Sequence, residues 1–291
     1  MQMNKKNINQ NKTYNEERAA DLARRIRINA LNMTSKGNSS HIGAVFSMAD
    51  ILAVLYENIM IYDSKNPKMN NRDRFILSKG HAGAGIYAVL AEKGFISKNE
   101  LTTHYQNGSK LSGHISHKGI PGIEVSTGSL GHGLPIATGM ALAGKINKQT
   151  HEIYTIISDG ECDEGSNWES ILFAAHHKLN NLSVVIDRNY LQSIKLTEET
   201  IELEPLAEKW LAFGWEVIEL KEGNDLKAII ETLKLAKTKT GNGRPVVIIM
   251  QTEMGNGVDY MMHTHAWHGK APNDELLAKA LDQNPETLGD Y

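Results

Sequence analysis

Ala19, Leu22, Ala23, Ile26, Ala30 and Met33 recur at three- and four-residue steps, the spacing of one helical face. This predicts a helix from about Asn15, with Gly37 as its C-cap. Ser47 reads as the N-cap of a second helix through Asp50, Leu52, Leu55 and Tyr56. Beyond it the period alternates. Short apolar runs are expected as strands over Arg74–Leu77, Glu152–Ile157, Leu182–Ile186, Trp215–Leu220 and Val246–Met250. Helical patterns fall between them, at Ala82–Glu92, Ala137–Gly144, Gly165–Lys178, Pro205–Phe213 and Leu226–Lys237. The runs YTIIS, LSVVI and PVVIIM are β-branched and almost wholly apolar, as strands buried on both faces are. The expected fold is therefore α/β, a doubly wound, mainly parallel sheet flanked by helices. Residues 1–13 are Asn/Lys/Gln-rich and are expected as a flexible tail, and 14–291 as a single domain. The long irregular stretch Asn107–Gly133 is a candidate functional loop.

Composition narrows the classes. The chain has 291 residues, 41% of them hydrophobic, with 31 Lys+Arg against 34 Asp+Glu and a net charge of −3. Ample apolar content excludes disorder for most of the chain, and the slight acidity argues against nucleic-acid binding. The lone cysteine, Cys162, excludes a disulfide framework and fits a reducing, cytoplasmic setting. No apolar run approaches about 18 residues, so no membrane span is expected.

In open parallel sheets ligands bind beyond the carboxyl ends of the strands. The strand ending at Ile157 runs into Ser158-Asp159-Gly160, and the next runs into Asp187-Arg188-Asn189. Asp159 and Asn189 are 30 residues apart, one βαβ step, which puts them at neighbouring strand tips. A carboxylate, a carboxamide and a loop carbonyl form an oxygen set suited to Mg²⁺ or Ca²⁺. Asp-Gly is also a common turn pair, and by itself Asp159 reads as a turn or cap. Several of the twelve histidines adjoin glycines in expected loops, at His41, His81, His114, His132 and His263–His268. Histidine can donate to phosphate or pass protons near neutral pH. A zinc site is the competing reading, but there is no Cys pair and no HExxH. The segment Gly122–Gly133 is neither a Walker loop nor a dinucleotide fingerprint. It could admit a flat ligand or simply pack a helix hairpin.

Taken together, Ser39-Ser40-His41-Ile42-Gly43, Leu77-Ser78-Lys79-Gly80-His81, Gly113-His114, Pro121–Gly133, Ser158-Asp159-Gly160, Asn189 and His268-Gly269 resemble the transketolase family in order and spacing, from about residue 15 to 275. The resemblance is to its diphosphate-binding half. It implies thiamin diphosphate and a divalent metal, Mg²⁺ with Ca²⁺ or Mn²⁺ as substitutes, as cofactors. It implies Asp159, Asn189 and the carbonyl of Leu191 as metal ligands. His81, Gly128, Ser129, Leu130, Gly160, Asn189 and His268 would meet the cofactor, and His41, His114 and His268 would be the catalytic residues facing the sugar. His265 is a companion histidine. Glu164 matches an acidic residue near the subunit contact, or is simply a helix-start residue. The resemblance further implies a separate C-terminal transketolase subunit that surrounds the aminopyrimidine and supplies an activating glutamate, in an assembly of two of each chain acting on sugar phosphates. Other thiamin-dependent enzymes, of the 2-oxo acid dehydrogenase or deoxyxylulose-phosphate synthase kind, share the metal motif. The chain departs from the family pattern where Ser40 and Ile42 replace the usual small-residue and proline neighbours of the first histidine. Ser158 replaces a glycine, Ser129 a proline and His132 a glutamine.

Overall fold

The computed structural model describes residues 14–285. The tail expected over 1–13 lies outside the described residues, as do 286–291. A five-stranded sheet, parallel throughout, forms the centre in the order β1-β2-β3-β5-β4. The strands are β1 (Arg74–Leu77), β2 (Ile153–Ser158), β3 (Leu182–Arg188), β4 (Glu216–Leu220) and β5 (Val246–Gln251). All five expected strands are present, with ends moved by a residue or two. The helices are α1 (Glu16–Gly37), α2 (Ile42–Val54), α3 (Gly83–Glu92), α4 (Gly133–Ile146), α5 (Gly165–His176), α6 (Thr197–Thr200), α7 (Leu206–Ala212), α8 (Leu226–Lys239) and α9 (Asp274–Asp282).

Side chains alternate across the pleat, so each strand feeds two cores. Phe75, Leu77, Tyr154, Ile156, Ile248 and Met250 pack with α1, α2, α3, α8 and α9. Ile76, Ile157, Val184, Val247 and Ile249 pack with α4, α5 and α7. This two-sided burial accounts for the continuous apolar runs. A parallel sheet leaves no face for solvent, so alternation with polar residues is lost.

Three expectations are corrected. Gly37 is the last residue of α1, and the left-handed cap is Asn38 (φ 49°), whose N–H donates to Ser35 and Thr34 carbonyls. Ser47 caps nothing. It lies inside α2, and His41 occupies the N-cap position. A polar residue in an apolar stretch has the look of a cap, yet the Ser47 hydroxyl is committed inward, to Asp187 at 2.6 Å. Finally, α2 continues through a π-helical turn (Leu55–Ile59), and the 18 residues Ile42–Ile59 are long and apolar enough by composition to cross a membrane. Here 94% of that segment is buried inside the fold. Its polar residues are satisfied internally: Asp50 accepts from Arg27 at 2.6 Å and from Asn224 at 3.0 Å.

Candidate active site

The carboxyl ends of β1, β2 and β3 carry the loops of interest. Register pairs Ser158 with Asp187, which sets Asp159 beside the segment Arg188-Asn189 as the 30-residue spacing implies. Asp159 is fully buried. Its Oδ1 accepts from the Gly160 N–H at 2.8 Å and its Oδ2 from the Tyr190 N–H at 2.7 Å, which joins the two loops. The side chain of Asn189 accepts from the Leu191 N–H at 3.1 Å. Burial pushes the Asp159 carboxyl up to about 6, and the Arg188 guanidinium, 3.6 Å away, only partly opposes this. A buried carboxylate short of positive charge, among carboxamide and main-chain oxygens, fits a hard divalent cation. Among the described residues no group of three or more His, Cys, Asp or Glu side chains is arranged to hold a metal ion, so such a cation would complete its shell with Asn189 and main-chain oxygens.

The second region is a cluster of four histidines drawn from distant segments. His41 lies before α2, His81 in a single turn after β1 (Gly80–Ala82), His114 in the long loop and His268 in a turn at His265–His268. The His41 ring centroid lies 5.0 Å from that of His81, 5.8 Å from His114 and 5.1 Å from His268, and His81 is 5.3 Å from His268. The long loop is held on β1: Ile115 N–H donates to the Gly80 carbonyl at 3.1 Å, and the Thr127 hydroxyl to the Leu77 carbonyl at 2.7 Å. That fastening brings His114 and Gly128 to the cluster. A Cβ on Gly128 would lie 2.9 Å from the His114 ring, so a side chain there would displace the histidine. Ser129 is exposed beside it and Leu130 half-buried.

Burial lowers His41 and His268 to about 4 and His81 well below its ordinary value. The Lys79 ammonium acts on all three in the same direction. These rings are therefore neutral near pH 7. His265, exposed, also disfavours charge on His268.

Beneath both regions lies a polar layer that sequence patterns alone do not reveal. Buried Lys79 pairs with buried Asp187 and donates to the Ala44 carbonyl at 3.0 Å; Asp187 also accepts from Ser47 and Thr252. Buried Glu161 accepts from the Ser78 hydroxyl and from the Gly131 N–H at 2.9 Å, tying β1, the long loop and the Asp159 turn together. Ser158, one of the departures from the family pattern, accepts from the Glu161 N–H at 3.2 Å. A signal exists for Asp187 and Lys79: charged residues at the ends of apolar strands need partners. Which partners they take depends on tertiary placement. Glu164 stands at the N-cap of α5, exposed, with no capping bond from its side chain.

Residues 18–286 match the family described as transketolase, thiamine diphosphate binding domain. The chain belongs to the transketolase family. It is 40% identical over 274 residues to an apulose-4-phosphate transketolase subunit of Actinobacillus succinogenes, covering 94% of this chain and 97% of the relative. It is 38% identical over 256 residues to the 6-deoxy-6-sulfo-D-fructose transketolase subunit SqwG of a Clostridium species, covering 88% and 92%. The transketolase structure from Leishmania mexicana superposes with a TM-score of 0.87 at 31% identity, covering 94% of this chain and 43% of that one. The similarity is thus to less than half of a long transketolase and to nearly the whole of relatives named as transketolase subunits. The parallel sheet and its flanking helices are the α/β fold of this family's thiamin diphosphate-binding domain.

Proposed function

We propose that the chain is the thiamin diphosphate- and Mg²⁺-binding subunit of a two-chain transketolase, which moves a two-carbon ketol unit from a ketose phosphate to an aldose phosphate. The observation that carries this reading is the joining of two regions at one sheet edge: the Asp159–Asn189 loops and, beside them, the four-histidine cluster. The relatives named as transketolase subunits support the two-chain arrangement.

Asp159, Asn189 and the Leu191 carbonyl would hold the metal, with Gly160 and Asn189 meeting the diphosphate. His81 and His268 would flank it. A neutral ring cannot cancel a diphosphate's charge, and burying an uncompensated anion is costly, so that task falls to the metal and to main-chain N–H groups. Gly128, Ser129 and Leu130 would line the ring portion of the cofactor, which when bound supplies the electron sink for carbon–carbon cleavage. His41, His114 and His268 would hydrogen-bond the sugar's oxygens and hold or pass their protons. A partner chain would cover the site and exclude water. An assembly of two of each chain fits the closed symmetry usual in oligomers.

The test is reconstitution. The chain, mixed with a subunit carrying the remaining transketolase domain, thiamin diphosphate and Mg²⁺, should transfer ketol units between sugar phosphates, and the chain alone should not. His41→Ala should keep cofactor binding and slow turnover by roughly 10²-fold or more. No transfer by the pair across common sugar phosphates would overturn the reading, and oxidative decarboxylation of a 2-oxo acid would replace it with the dehydrogenase-like alternative.

A further inference from the structure

Among the four clustered histidines, His41 has a ring nitrogen bonded by a neighbouring side chain. The Ser40 hydroxyl lies 2.8 Å from His41 Nδ1. The main chain of His41 is held as well. Its N–H donates to the His268 carbonyl at 2.9 Å, and its carbonyl accepts from the Val45 N–H at 3.3 Å in the first turn of α2. Its φ of 75° is left-handed, a conformation that non-glycine residues keep only where the surroundings impose it. Backbone and ring are thus both fixed at the centre of the cluster, in contact with His81, His114 and His268.

A neutral imidazole carries one proton, on one nitrogen, and the partner of the other nitrogen decides which. A serine hydroxyl can donate to a bare Nδ1 or accept from a protonated one, and donation leaves the ring proton on Nε2, the nitrogen Ser40 does not touch. We propose that Ser40 is a positioning residue that fixes His41 as the Nε2–H tautomer, so that the ring meets the reacting sugar as a hydrogen-bond donor and not as a base. Burial of the ring agrees with this, since it keeps His41 uncharged at the working pH. A donor aimed at a sugar oxygen stabilises negative charge as it builds there. The hydroxyl stands where the family pattern has a small residue, so it adds a hydrogen bond to a ring otherwise in contact with the rings of His81, His114 and His268. The catalytic consequence rests on the transketolase reading above; the tautomer does not.

Long-range ¹H–¹⁵N correlation spectra of the full-length labelled chain read the tautomer directly, with His41→Gln identifying the ring's signals. Wild type should show a pyridine-like Nδ1 and a pyrrole-like Nε2. Ser40→Ala should shift His41 toward mixed tautomers while the other histidine signals stay in place, and Ser40→Thr should restore the wild-type pattern. A pyrrole-like Nδ1 in wild type, or an unchanged tautomer in Ser40→Ala, overturns the proposal. In the reconstituted pair Ser40→Ala should lower kcat about tenfold with little change in KM, the loss expected from one hydrogen bond, and Ser40→Thr should recover most of it. An unchanged kcat in Ser40→Ala removes the catalytic consequence. If the spectra hold and the pair transfers no ketol unit, Ser40 stands and the transketolase reading falls. If the pair is active and the tautomer is the opposite one, the transketolase reading stands and the role of Ser40 falls.

Discussion

The two halves of the candidate site are built in opposite ways. At the Asp159–Asn189 end, the carboxylate and the carboxamide oxygen already have partners from their own loops: Gly160 and Tyr190 N–H groups on the carboxylate, the Leu191 N–H on the carboxamide. At the histidine end, four rings come from four separate segments, and the buried Nδ1 of His268 has no hydrogen-bond partner. The first half is prefolded by local main chain and is short of positive charge. The second is assembled by long-range packing and is kept neutral. Under the proposed function the difference matches two tasks: a rigid grip on a charged group, and a set of neutral rings, His41 held by Ser40 among them, that hydrogen-bond a substrate.

Removing the anchor of the first half should have the largest effect on cofactor binding. Under the proposed function, Asp159→Ala should reduce metal-dependent binding of thiamin diphosphate by about 100-fold or more, because it deletes a proposed direct ligand, a larger change than loss of an outer-shell partner. Calorimetry with Mg²⁺, in the presence of the second subunit, measures this. Wild-type affinity in the variant would mean that the two halves are not a grip and a reaction centre.

The Lys79–Asp187 pair comes next, because it lies under both halves. Lys79→Met leaves Asp187 buried and unpaired, which should cost about 3–5 kcal/mol of stability. Chemical denaturation of the apo chain reads it, and a loss under about 1 kcal/mol would show that Ser47 and Thr252 alone satisfy Asp187.

A further effect depends on pH. Burial holds His41 and His268 at about 4, below their ordinary value of 6.5, so these two rings bind more protons in the unfolded chain than in the folded one between those limits, while Asp159, raised to about 6, acts in the opposite sense. Their contribution is intact above pH 6.5 and is lost progressively as the pH falls toward 4. Thermal melts of the apo chain should therefore show a falling midpoint across that window, and the His41→Gln, His268→Gln double variant should flatten the slope. An equal slope in the double variant would assign the effect to other groups.

How legible each half is in the sequence follows from its construction. Asp159 and Asn189 can be placed at neighbouring strand tips because one βαβ step fixes that geometry locally. The strands are readable for the same reason: two-sided burial leaves uninterrupted apolar runs. The histidine cluster can be suspected from its glycine neighbours. Its assembly cannot be derived from spacing, because His114 is placed by bonds from Ile115 to Gly80 and from Thr127 to Leu77. Ser47 shows the limit most plainly. A serine ahead of an apolar helix ordinarily caps it, and only Asp187, 140 positions away, reveals another use.

The bond from the His41 N–H to the His268 carbonyl joins residues 227 positions apart in a sequence of 291. A nascent polypeptide halted on the ribosome before residue 268 could pair its early strands and close the Asp159–Asn189 loops, yet the His41 main chain would lack this bond. The histidine cluster therefore cannot close until residue 268 is in place, and a cut ahead of that residue would leave His41 without this bond.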